Sequence, residues 1–259
     1  MSAIKLITLN IEINRHWNDI IPFLERESPD IVCLQELFDR DISMLTEHFG
    51  YHYIHLPITK KLYDANDSLP FAAEGPAILT KLPLKNTGSA YYYKPAPEIQ
   101  IFSSISTAAR RTTIHQGIVW GTVLKNGAQF TIGSTHFTWT PDGKPNENQD
   151  TDIQSLFKIL DTIPDLVLCG DFNVPRGDNR IYHKLLERLK DNVPSDVKTT
   201  IDLERHYSRT DPSVQARLST CVVDYIFSTP RYAVSNVRCE FGLSDHCAIV
   251  ANVALRNGD

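Results

Sequence analysis

Asp171 and Asn173 stand two residues apart, directly after the apolar run Leu166–Cys169 and Gly170. In extended backbone, residues i and i+2 point the same way. A carboxylate and a carboxamide therefore project together from the end of a buried strand. Such groups are costly to bury unless paired, so the segment is either a working pair or an Asx-type turn closed by Pro175. The same placement recurs along the chain. Asn10 ends the run Ile4–Asn10, Gln35-Glu36 follow Ile31–Leu34, and His136 ends Gln129–His136. Asp224 lies in Val222–Phe227, and Ser244-Asp245-His246 lead into Cys247–Leu255. Singly these have dull explanations: Asn10 and Glu36 as caps, a lone histidine as a packed residue, Asp245-His246 as a turn. Together they match the way open sheets gather active-site residues at strand ends. Carboxylates with no cysteine ligand nearby suit a hard, oxygen-loving cation such as Mg²⁺ or Mn²⁺. Zinc fits less well, because neither His nor Cys clusters at ligand spacing.

The elements that must position these residues are short. Strands are expected at Ile4–Asn10, Ile31–Leu34, Tyr51–Leu56, Gly75–Thr80, Gly117–Leu124, Gln129–His136, Val222–Phe227, Tyr232–Glu240 and Cys247–Leu255, besides the run before Gly170. Asn126-Gly127 marks a tight hairpin. Helical spacing is present in His16–Glu27, with Pro22 assigned to the tolerant first turn, and in Asp39–Phe49, Asp150–Leu160 and Asn179–Leu189. Residues 57–74, 85–115 and most of 190–220 read as irregular; the second contains Tyr91-Tyr92-Tyr93, Pro95 and Pro97. Many short strands with a few helices suggest two packed sheets flanked by helices, in one α/β domain spanning 1–259.

Composition restricts the function. At 259 residues, 42% hydrophobic and 22% charged, the chain can bury a large core. A net charge of −5 argues against a broad basic surface for nonspecific nucleic-acid binding, though not against a local groove. Most of that acidity is Glu36, Asp171, Asp224 and Asp245. The cysteines (33, 169, 221, 239, 247) are odd in number, lack Cys-x-x-Cys spacing and mostly sit in apolar runs. Reduced thiols and a cytoplasmic location are expected. Neither a membrane-length apolar run nor a signal-peptide pattern is present, so no membrane partner is expected.

The motifs, taken in order, resemble the endonuclease/exonuclease/phosphatase superfamily, the metal-dependent phosphodiesterases related to pancreatic-type deoxyribonuclease and apurinic endonucleases. The matching blocks are Leu9-Asn10-Ile11, Leu34-Gln35-Glu36, Ser134-Thr135-His136, Gly170-Asp171-Phe172-Asn173, Val223-Asp224-Tyr225-Ile226 and Ser244-Asp245-His246. The fold that this resemblance implies is a four-layer α/β sandwich, two mixed β-sheets face to face with helices outside. It also implies Glu36 as the main Mg²⁺ ligand (Mn²⁺ serving as well), with Asn10 and Asp245 beside it. Asp171 and Asn173 would orient and activate water. His246 would touch the scissile phosphate with Asp224 holding its ring, and His136 would be a second phosphate contact or the acid for the leaving oxygen. The group that deprotonates the water is left open.

Departures from the pattern bear on substrate. Where many nucleases of this type carry an arginine before the hairpin, this chain reads Ile114-His115-Gln116-Gly117, with Arg110-Arg111 upstream. Arg111, His115 and Arg176 are candidates for phosphate contact, with a surface role open for each. The tyrosine run can stack on bases or pack in a loop. No match to the damage-recognition loops of apurinic endonucleases is seen. The leading expectation is a monomeric, Mg²⁺-dependent phosphodiesterase on DNA or RNA. Inositol phosphates, sphingomyelin or a phosphotyrosyl-DNA adduct are alternatives, sphingomyelin being disfavoured by the absence of a leader or apolar loop. A catalytically silent binding module would require a lost motif position, and none is lost.

Overall fold

The computed structural model describes residues 2–94 and 98–256. Pro95 and Pro97, assigned above to a long loop, lie outside the described residues. The first sheet contains β1 (Ala3–Asn10), β2 (Ile31–Phe38), β3 (His52–His55), β4 (Thr59–Leu62), β5 (Phe71–Thr80), β12 (Tyr232–Glu240) and β13 (Ala248–Leu255). Its order is β12-β13-β1-β2-β5-β3, with β4 attached to β5. The second contains β6 (Leu84–Tyr93), β7 (Gln116–Lys125), β8 (Ala128–His136), β9 (Val167–Asp171), β10 (Lys190–Asp191) and β11 (Asp224–Ser228), in the order β10-β11-β9-β8-β7-β6. Both sheets are mixed. Each has one parallel pair near its middle, β1 with β2 and β8 with β9.

Side-chain alternation explains the layers. Ile4 and Leu6 of β1, and Ile31 and Cys33 of β2, belong to the core between the sheets, which they share with Val119, Ile132, Cys169 and Ile226. Ile7, Leu9, Val32 and Leu34 point the opposite way, onto α1 (Trp17–Glu27) and α2 (Ile42–Phe49). The outer face of the second sheet is covered by α4 (Glu147–Leu160) and α5 (Arg180–Leu186), which supply Ile153, Leu156, Ile181 and Leu185. Strand β9 is buried along its whole length, which is why it reads as an unbroken apolar run rather than an alternation. The result is the expected four-layer α/β sandwich. No helix among the described residues is long and apolar enough to cross a membrane.

Several expected boundaries are corrected. Residues 57–74 are not a loop: they hold β4 and the start of β5, whose strand begins at Phe71 rather than Gly75. The stretch 85–115 holds β6 and α3 (Thr107–Thr113), and 190–220 holds β10 and α6 (Pro212–Leu218). The helix expected from Asp39 begins as a 3₁₀ turn, Asp39–Asp41, before α2. Pro22 lies inside α1, beyond its first turn, and removes a hydrogen-bond donor there. The tyrosine run is packed: Tyr91 Oη donates to Pro57 O (2.7 Å), Tyr92 is buried, and the Arg111 guanidinium lies 3.2 Å from the Tyr93 ring centroid. The run is not a base-stacking platform.

Gly170 sets the end of β9. Its φ is +147°, and a Cβ there would stand 1.9 Å from Thr135 O on the neighbouring strand. Gly170→Ala is therefore expected to lower stability by about 2 kcal/mol or more, read as a shift of the urea midpoint at unchanged slope.

Candidate active site

Strand register sets the first row of the site. His136 pairs with Asp171 across the parallel β8–β9 ladder, and Asp171 pairs with Asp224 across β9–β11. Three ionisable side chains thus leave three adjacent strands at one level. The opposite sheet answers with Asn10, which its even position on β1 turns inward with Ile4 and Leu6. Asn10 Nδ2 donates to Asp171 Oδ2 at 3.1 Å, a bond between the two sheets. Asn173 is held in the left-handed region (φ +52°); its backbone N–H donates to Asp171 Oδ1 (2.8 Å), and its Nδ2 donates to Phe137 O. Both oxygens of Asp171 are oriented before any substrate arrives.

His246 arrives from the segment before β13. Its Nδ1 is 2.8 Å from Asp224 Oδ2, and its Nε2 is 3.8 Å from Asp171 Oδ2. His136 Nε2 reaches the same Asp171 oxygen at 3.5 Å. Burial disfavours charge on His246, but Asp224 and then Asp171 outweigh it and hold the imidazole well above its usual range. The ring is buried between the Asp224 and Asp171 carboxylates. Ligand atoms of Asp171, Asp224 and His246 lie within 4.8 Å of one another. Nδ1 of the ring is committed to Asp224, which leaves Nε2 and the Asp171 carboxylate as the faces of this trio turned to the cavity.

Glu36 reaches the site by breaking the alternation of β2. Gln35 follows Ile31 and Cys33 onto the inner face, where its Nε2 donates to Thr8 and Ser134 hydroxyls. Glu36 would then point outward to the helices. Instead the β2–β5 register shifts between Leu34 and Leu37, and Glu36 adopts φ +61°. This bulge turns the carboxylate to the sheet end. Burial alone would raise the Glu36 carboxyl, but the Lys61 ammonium, with His136, brings it down to about 2. Asp245 has a contrasting environment. It is half-buried and accepts a hydrogen bond from Ser244 Oγ (3.1 Å); burial pushes its carboxyl up to about 6 despite His246 next to it.

Asn10, Glu36, His136, Asp171, Asn173, Asp245 and His246 line one cavity of about 230 Å³, with Asp224 directly behind His246. A larger depression of about 700 Å³ lies at edge strand β10 and contains none of these residues.

The candidates for phosphate contact are not brought there. Arg111 makes a two-pronged ion pair with Asp152 (2.5 and 2.7 Å), which is 1% exposed. His115 is fully buried with Nδ1 against Lys94 O. Arg176 donates to Pro194 O, Val193 O and Asp191 near β10. All three serve the scaffold, and the expectation of phosphate contact is withdrawn. Arg110, one residue earlier, does line the cavity, as does Arg217 of α6. The Arg110 guanidinium lies 4.2 Å from the Trp139 ring centroid and 5.3 Å from that of Phe102, and its Nε is buried without a partner among the described residues. Glu74 and Lys61, beside Glu36, are further residues that sequence reasoning missed. The adjacent arginines were visible, but choosing between them needed the orientation of α3.

With this geometry in place, comparison identifies the class. Residues 7–246 match the Endonuclease/Exonuclease/phosphatase family, and the chain belongs to it. No functionally curated protein matches the sequence. Among solved structures, the fold is similar to an endonuclease/exonuclease/phosphatase from Beutenbergia cavernae (TM-score 0.74, 17% identity, covering 98% of this chain and 72% of that one). It is also similar to the human Nocturnin catalytic domain (0.68, 19%, 98% and 94%) and to D. rerio TDP2 complexed with a single-strand DNA product (0.66, 13%, 98% and 100%). The family is one of phosphoesterases, and at these identities the neighbours establish the fold alone.

Proposed function

We propose that this protein is a Mg²⁺-dependent phosphodiesterase acting on nucleic acid. The observation that carries the reading is the row His136, Asp171 and Asp224 with His246, set against Asn10 and Glu36 of the opposite sheet. The donor set beside that row fits a hard cation: it is all oxygen, and Asp245 is a carboxyl whose acidity is suppressed by burial, as a group lacking a countercharge would be. Glu36, Asn10 and Asp245 would hold the ion. Bound there, Mg²⁺ or Mn²⁺ would supply Lewis-acid stabilisation of a phosphoryl oxygen.

The remaining steps belong to the chain's own groups. Asp171, fixed by Asn10 and the Asn173 N–H, takes the proton of the attacking water. His246, braced by Asp224 at Nδ1, donates a hydrogen bond from Nε2 to a phosphoryl oxygen. His136 faces the other side of Asp171 and serves the leaving oxygen. Arg110, held between two aromatic rings, offers the phosphate its free N–H groups.

The test is hydrolysis of a panel: abasic duplex, single-stranded DNA, RNA, a phosphotyrosyl-terminated oligonucleotide, and inositol and other small phosphoesters, each with Mg²⁺ and with chelator. Cleavage of a nucleic acid that stops on chelation is expected. Arg110→Ala should lower kcat/KM about tenfold to a hundredfold on that substrate. Cleavage of small phosphoesters alone would overturn the nucleic-acid assignment. Cleavage of nothing in the panel would favour a silent binding module.

A further inference from the structure

Lys61 comes from β4, the short strand that hangs on β5 outside the main path of its sheet, with Lys61 paired to Ala72. Its Nζ donates to Glu36 Oε2 at 2.7 Å and stands 3.4 Å from Glu74 Oε1, with the Phe102 ring centroid 5.6 Å away. The Glu74 side chain is 2% exposed, and its second oxygen has no partner among the described residues. Exposed ion pairs contribute little, because water screens them. This one is different, since the lysine is the shared countercharge of two sheltered carboxylates that would otherwise repel each other. One of the two is the carboxylate assigned above to the metal.

We propose that Lys61 is a built-in counter-cation that sets how Glu36 binds metal, a proposal that rests on Glu36 being a metal ligand. With Oε2 held by the ammonium, Glu36 presents a single oxygen, Oε1. A positive charge beside that carboxylate opposes the arrival of a second one, so the chain itself keeps its affinity for divalent ions low. Glu74 anchors the lysine from behind and keeps it from being pushed aside. Lys61 touches no reacting atom in this scheme; it is a positioning residue acting through Glu36.

The experiment is direct Mn²⁺ binding to the full chain without substrate, followed by the electron paramagnetic resonance signal of the free ion. Lys61→Met keeps the length of the stem and removes the charge. It should bind Mn²⁺ about tenfold tighter or more, whereas Lys61→Arg should stay within about threefold of wild type. Lys61→Gln, neutral but still able to donate to a carboxylate, should tighten binding in the same direction. It provides the reading if the methionine variant does not fold by circular dichroism. Unchanged or weaker binding in the neutral variants, with the wild type binding normally, overturns the role of Lys61 and leaves the metal assignment intact. Absence of Mn²⁺ binding in every form at millimolar ion overturns the metal assignment of Glu36 and this proposal with it.

Discussion

Asp171→Ala is expected to lower kcat for phosphodiester hydrolysis by about 10³-fold or more, with the fold retained. A positioned general base alone contributes about 10²–10⁴-fold. Asp171 also takes part in a hydrogen bond between the two sheets: one oxygen receives Asn10 Nδ2, the other the Asn173 N–H. In the proposed mechanism its loss removes the water's proton acceptor; it also frees Asn10 and takes a carboxylate away from His246. Asp171→Asn, which keeps the shape, should be nearly as inactive, because the amide cannot accept a proton. Single-turnover kinetics on the best substrate of the panel, with circular dichroism as a control for folding, decides it. A loss of less than about tenfold would remove Asp171 from the mechanism.

The second large effect has opposite signs for stability and activity. Burial raises the Asp245 carboxyl from 3.8 to about 6 in the folded chain. Between those values the native state binds more protons than the unfolded state, so stability falls as pH rises. Above about pH 6 the full cost of keeping a buried carboxylate is present; below about pH 4 it vanishes. Asp245→Asn should therefore stabilise the metal-free protein at pH 7.5 by on the order of 2 kcal/mol, allowing for partial solvent access, and by nothing measurable at pH 3.5. The same variant should lose Mn²⁺ binding and nearly all hydrolysis. Urea unfolding in chelator at both pH values, beside Mn²⁺ titration, measures the two sides. Equal stability of variant and wild type at pH 7.5 would show that Asp245 is already compensated by other groups.

The parts of the site legible in the sequence were those carried by short strands with residues of fixed type at their ends. Leu166–Cys169 announced a buried strand because both faces of β9 are covered. Asp171, Asp224 and His136 followed from their place at strand ends, and the structure aligns them by ladder register. What could not be read depends on exceptions to alternation or on weak local signals. Glu36 was found by its motif, yet only the bulge and its left-handed backbone explain how an outward position faces the site. Strand β6 was missed because it is an edge strand whose first half, Leu84-Lys85-Asn86-Thr87-Gly88, has no apolar rhythm. Helix α3 was missed because it is seven residues long and has no buried residue. With α3 unseen, Arg111 was chosen over Arg110. Lys61 lies on a four-residue strand, Thr-Lys-Lys-Leu, that carries no pattern at all.

The path of the chain through the first sheet has a consequence for synthesis. Strands β6 to β11 come from one continuous stretch, so the second sheet can form as soon as residue 228 has emerged. The first sheet is split: β1 to β5 are made early, and β12 and β13 last, with β13 inserted between β12 and β1 so that Ala3 pairs with Ala254. One long flank of β1 stays open until nearly the whole span has been translated, and its closure joins residues far apart in sequence, a slow kind of contact to make. Asp245 and His246 sit just ahead of that inserting strand. The strand that closes the first sheet is thus also the one that brings His246 against Asp224, so completing that sheet and completing the site are one event.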